Sequence, residues 1–113
     1  MNFTINLKPV TKKNSQRIAK NNKTGHYFVL PSKAYEKYEK ECKSYMPNVE
    51  SPIDYPVNIK AIYHMPTSRK VDLINLHEAL HDILVHYHVL ADDSSNIVVS
   101  TDGSRVVVDK WNP

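Results

Sequence analysis

Apolar side chains fall on every second position at Phe3, Ile5 and Leu7, with Thr4 and Asn6 between them. That alternation predicts a strand, and Pro9 ends it. The pattern then gives way to a polar loop from Thr11 to Lys23, followed by a short apolar piece at Tyr27 to Leu30. Pro31-Ser32 reads as a helix start with Ser32 as N-cap. Behind it Tyr35, Tyr38, Cys42, Tyr45 and Met46 recur at helical spacing, while Lys and Glu fill the other face. Met46-Pro47 closes this helix, and Pro52 and Pro56 mark an irregular connection. Val57, Ile59, Ala61 and Tyr63 alternate with Asn58, Lys60, Ile62 and His64, which predicts a second strand. The strongest helix covers 72–88, where Leu73, Leu76, Leu80, Ile83, Leu84 and Tyr87 form one stripe and Asp72 stands ready as its cap. Finally, Ile97 to Val99 and Val106 to Val108 flank Thr101-Asp102-Gly103-Ser104, and Asp-Gly between β-branched runs predicts a hairpin. The order predicts an α+β fold: one small domain over 1–113, a mixed β-sheet with two main helices packed on it.

Composition changes this picture little. The 113 residues suit one domain, and 41% apolar with 24% charged residues is ordinary for a globular chain. The net charge of +3 is compatible with a nucleic-acid partner but weak evidence on its own. A single cysteine, Cys42, excludes an internal disulfide and fits a reducing, intracellular compartment. No apolar run is long enough for a membrane helix, and the N-terminus lacks the layout of a secretory signal.

Charge is uneven along the chain. Lys12, Lys13, Arg17, Lys20 and Lys23 make the densest positive run, and Arg69 and Lys70 form a second basic loop. Each suits phosphate contacts; a solvated loop is the plainer alternative. "HEALH" at 77–81 fits H-E-x-x-H, in which two His hold zinc and the Glu activates water. On a wheel with Leu73 at zero, the apolar stripe centres near ~320°, with His77 and His81 at roughly 40° and 80° on one edge. Asp72, Asn75 and Asp82 lie at roughly 180–260°, so the two polar sets point to different places. A zinc peptidase also needs a third ligand, for which His26 and His64 have no motif behind them. The plainer role for His77 and His81 is a boundary or interface position. The carboxylates say more. Asp72 starts the helix and Asp92-Asp93 follows its end, with basic loops on either side. Hard oxygen ligands of this kind suit Mg²⁺, with Mn²⁺ as a substitute.

The segment "RKVDLINLHEALHDILVHYHVLADDSSNIVVSTDGSRVVVDK" resembles the RusA family of Holliday junction resolvases, in particular its phage and prophage branch. The shared pattern is an Asp-x-x-Asn helix start, an Asp-Ile-Leu-type turn, a "V-x-x-D-D" return and a strand pair. "LKPVTKKNS" and "PSKAYEKYEKE" extend the likeness over nearly the whole chain. The resemblance implies a small homodimer that cuts four-way DNA junctions with Mg²⁺ and leaves a 5′-phosphate. Carried over by position, Asp72, Asp92 and Asp93 hold the metal and Asn75 assists. Lys12, Lys13, Arg17, Arg69 and Lys70 grip DNA phosphates. Two positions depart from the better-known members: Ile74 stands where a second Asp is usual, and Glu78 where a Lys is usual. Relatives usually continue beyond a segment like "DKWNP", so the stop at Pro113 reads as a short version or one cut near that point.

The expectation is thus an Mg²⁺-dependent, structure-selective endodeoxyribonuclease acting on Holliday junctions and other branched DNA in recombination and repair. Its setting would be the cytoplasm of a bacterial host, encoded by a phage or prophage. The rivals are a non-catalytic branched-DNA-binding protein descended from such a nuclease, suggested by Ile74, then the zinc peptidase, then a phage structural or adaptor domain with no site.

Overall fold

A parallel pair of strands cannot be closed by a tight turn, so its chain must cross over through another element, usually a helix. That crossover dominates this molecule. The structure, a computed structural model, describes residues 1–12, 17–30 and 32–109, with the Arg17 side chain outside that set. In chain order the elements are β1 (Arg17–Lys20), β2 (Tyr27–Leu30), α1 (Lys33–Cys42), β3 (Val57–Asn58), β4 (Ile62–Met65), α2 (Leu73–His86), β5 (Val98–Ser100) and β6 (Arg105–Val108). A 3₁₀ turn, Lys43–Tyr45, extends α1. Strands β1 and β2 pair antiparallel, whereas β3 pairs parallel with β5 and β4 parallel with β6. Helix α2 is the crossover between the two halves of this parallel arrangement. The fold is α+β, as the element order predicts.

Both helices form where their caps and stripes place them. The Ser32 hydroxyl accepts the Tyr35 amide at 3.0 Å, and the α1 stripe of Tyr35, Tyr38 and Cys42 is buried. On α2, Leu76, Ala79, Ile83 and Leu84 are buried. Ala79 and Ile83 pack with Tyr35, Tyr38 and Cys42, and Leu84 packs with Val89, Leu90 and Ile97. One helix therefore closes both apolar clusters. Its end is fixed by His88, which adopts a left-handed φ of 61° while the Val89 amide donates back to the Leu84 carbonyl at 2.9 Å.

Three strand expectations are corrected. Residues 3–7 form no ladder. Ile5 and Leu7 still alternate in burial with their neighbours and pack on the first cluster, so the period of two records a buried face without strand pairing. They line, with Val57, Ile59, Tyr63 and Leu80, a concavity of about 690 Å³. The second strand is split at 59–61, where the Ser104 hydroxyl accepts the Ala61 amide at 2.9 Å. The Thr101–Ser104 segment is not a hairpin, because β5 and β6 pair with β3 and β4 and not with each other. The cause is Asn58. Its Oδ1 accepts from the Asp102 amide and the Ser100 hydroxyl, both at 2.7 Å, which pulls the loop over β3. Gly103, at φ 84°, supplies the left-handed residue that this kink needs.

The basic loop is corrected too, since half of it is the β1–β2 hairpin. Asn21 Oδ1 accepts the Lys23 amide at 2.9 Å, and Gly25, at φ 73°, returns its amide to the Asn21 carbonyl at 2.8 Å.

Candidate active site

Asp72 caps α2 as its position suggests. Its Oδ1 accepts the amides of Ile74 and Asn75 at 2.8 and 3.4 Å, which fixes the carboxylate at the exposed helix start. Such a cap is worth about 1 kcal/mol, and a negative charge there also meets the positive end of the helix dipole. Ile74, one residue into the helix, is 74% exposed, so an apolar side chain faces water on the same turn. Arg69 and Lys70 are exposed just ahead of Asp72. Asp92 and Asp93 are exposed beyond the other end of α2, and the Asp93 amide donates to Asp92 Oδ1 at 2.9 Å.

Asp93 also acts across the fold. Burial lowers the His81 pKa first and His77 lowers it further, while the charges of Asp93 and Asp82 oppose both effects. The Asp93 charge therefore acts on the His81 imidazole, though only against the larger effect of burial. Asp82 also pairs with Lys12 at 3.2 Å, so the ammonium expected on a phosphate has a carboxylate partner here. Lys13 and the Arg17 side chain lie outside the described residues.

The HEALH histidines are built into the contact between α2 and β4. Burial holds the Tyr63 hydroxyl protonated and lowers the His77 pKa. The Tyr63 hydroxyl and His77 Nδ1 share a hydrogen bond at 2.8 Å. The His77 and His81 rings stack with centroids 5.6 Å apart and planes 9° from parallel. His81 Nε2 is sealed from solvent and has no hydrogen-bond partner among the described residues. Among those residues, no group of three or more His, Cys, Asp or Glu side chains gathers to hold an ion. No periodicity in the sequence announces the Tyr63–His77 bond; it follows from packing the inward face of β4 against the edge of α2.

This arrangement sets a pH dependence. Both histidines have folded pKa values below the ordinary 6.5, so folding favours their neutral forms. Their contribution is intact above about pH 6.5 and is lost as the pH falls through that value, because the unfolded chain then binds protons that the folded one resists. The urea midpoint is expected to fall between about pH 7.5 and 5.5, and His81→Gln to flatten that fall. An unchanged slope in His81→Gln would remove the buried imidazole as its cause.

Compared with known protein families, residues 6–110 match Endodeoxyribonuclease RusA. The chain belongs to the RusA family. Comparison with curated proteins and with solved structures gives no significant match. RusA proteins are metal-dependent endodeoxyribonucleases that resolve Holliday junctions. The RusA match takes in Asp72, Asn75, Asp92, Asp93 and both basic segments, and with them the two departures at Ile74 and Glu78.

Proposed function

We propose that this RusA-family chain is an Mg²⁺-dependent endonuclease that resolves Holliday junctions and related branched DNA in recombination and repair. The observation that carries the reading is the family match over nearly the whole chain, which takes in Asp72, Asn75, Asp92 and Asp93. The chemistry of the donors fits the ion, while among the described residues Asp72, Asp92 and Asp93 do not gather into one group, so the assignment rests on the family match. Mg²⁺ takes oxygen ligands, needs only one or two carboxylates, and keeps waters and substrate phosphates in its shell. Asp72, Asp92 and Asp93 would hold it, with the Asn75 amide oxygen assisting. When bound, such an ion polarises the scissile phosphate and lowers the pKa of water.

The chain's own groups do the rest. Arg69 and Lys70 would draw a backbone phosphate toward the helix start, and Lys12, Lys13 and Arg17 would contact further phosphates, Lys12 by exchanging its Asp82 partner. The cap holds Asp72 in place while substrate arrives. Contacts of this kind read shape more than sequence. Two copies would present two sites to a two-fold-symmetric junction, a homodimer in the cytoplasm of a bacterial host, encoded by a phage or prophage.

The test is a labelled four-way junction incubated with the protein and Mg²⁺, beside a matched duplex. Paired nicks at the junction with 5′-phosphate ends support the reading; equal cutting of the duplex, or none of either, counts against it. Ile74 favours a second reading, a branched-DNA binder without cutting, which tight junction binding with no nicking in Mg²⁺ or Mn²⁺ would support. Ile74→Asp separates the two further. It removes an exposed apolar side chain and adds charge at the helix N-terminus, so stability is expected to hold or to rise by about 0.3–1 kcal/mol. Cutting is expected to rise, because a carboxylate joins the site; slower cutting by a fully folded variant would oppose this account.

A further inference from the structure

On the β1–β2 hairpin an open apolar face stands beside basic side chains. In its register Ile18 is opposite Val29 and Lys20 opposite Tyr27, so these four share a face, while Ala19 and Phe28 share the other. The first face is uncovered: Ile18 is 74%, Tyr27 71% and Val29 59% exposed. Every residue from Lys20 to Val29 is exposed. A two-stranded ribbon gains little from leaving such a surface in water, and exposed apolar patches of this kind mark partner sites.

Charge selects the partner. From Arg17 to Leu30 there is no Asp or Glu, whereas Arg17, Lys20 and Lys23 all fall in that stretch. A second copy of a chain carrying +3 would bring like charges together at this hairpin. A polyanion that also offers flat aromatic faces meets both features, and unpaired nucleotides have both. Lys20 Nζ lies over the Tyr27 ring, 5.7 Å from its centroid. Its flexible stem lets the ammonium swing to a phosphate while a base takes the ring.

We propose that the open face of the β1–β2 hairpin holds unstacked bases at the branch point, one base on Tyr27 and its phosphate beside Lys20. The inference rests on the branched-DNA reading above and adds the surface that tells a branch from a duplex, where all bases are stacked inside.

The test uses the full chain with three probes: a single-stranded oligonucleotide, a duplex, and a four-way junction with 2-aminopurine at the branch point. Tyr27→Ala is expected to weaken single-strand binding about tenfold, the loss of one base stack. It should leave duplex binding unchanged and suppress the rise in 2-aminopurine fluorescence seen with the wild type. Tyr27→Phe, which keeps the ring, is expected to behave as wild type. Equal losses on duplex and single strand would overturn the proposal, as would a Tyr27→Ala change confined to self-association by sedimentation. If the wild type nicks junctions and Tyr27→Ala binds all three probes as well as it does, the nuclease reading stands and this one falls. If the wild type neither binds nor nicks branched DNA, both fall.

Discussion

Asp93→Asn is expected to stop junction cutting while leaving junction binding intact or tighter. The substitution removes one unit of charge and a strong oxygen ligand but keeps the side chain's size. The backbone bond in this loop runs from the Asp93 amide to Asp92 Oδ1, so the turn does not depend on the Asp93 carboxylate. Losing a ligand to a catalytic ion removes several kcal/mol of transition-state stabilisation, a drop of roughly a thousandfold or more in rate. Binding responds oppositely, because one less anion faces incoming phosphates. Asp72→Asn is expected to behave alike, and the cap makes it a clean test: Asn caps a helix about as well as Asp, so the bonds to the Ile74 and Asn75 amides survive. Asp72→Ala would confuse the reading by costing about 1 kcal/mol of helix start as well. Measured single-turnover cutting and gel-shift affinity, side by side, decide the matter. Wild-type cutting by either Asn variant removes that residue from the site.

The second large effect is on folding. Ile83 is fully buried where α2 meets Tyr35, Tyr38 and Cys42. Ile83→Ala is expected to cost about 2–5 kcal/mol, the loss of transferred apolar surface plus the cavity left behind. Against a usual total of about 5–15 kcal/mol, that is a large share of what keeps a small chain folded. In urea it corresponds to a midpoint lowered by roughly 1–5 M for a slope near 1–2 kcal/mol per molar. Ile74→Ala on the same helix is the control. Its side chain is exposed, and a change within about 0.5 kcal/mol is expected. If the two variants unfolded at the same urea concentration, α2 would not pack as described.

What the sequence made legible follows from locality. The start of α2 needed only a capping carboxylate ahead of a 3.6-residue stripe, and Asp72 caps as its position suggests. Ser32 and α1 were readable for the same reason. Pairing was harder, because it depends on residues far apart. Thr101-Asp102-Gly103-Ser104 carries a hairpin signal, yet Asn58, more than forty positions earlier, captures the loop and the flanking strands pair elsewhere. Ile5 and Leu7 kept the burial of a strand without its ladder. The β1–β2 hairpin was hidden because Arg17-Ile18-Ala19-Lys20 reads as part of a basic run; Asn21 and Gly25 were its only local signals. The candidate acidic residues stand out one by one and through the family pattern, but the sequence does not say whether they meet, and among the described residues they form no group of three. The electrostatic influence of Asp93 on His81 was not legible, since a wheel describes one helix and says nothing of the loop that follows it.

The central claim is that Asp72 and Asp93, placed by the family pattern, are both ligands of the divalent ion that the nuclease reading requires. Mn²⁺ binding, followed by electron paramagnetic resonance on the wild type, Asp72→Asn and Asp93→Asn, tests it without any DNA present. The expected result is a site in the wild type that both variants weaken severely. Wild-type Mn²⁺ affinity in both variants would contradict the claim.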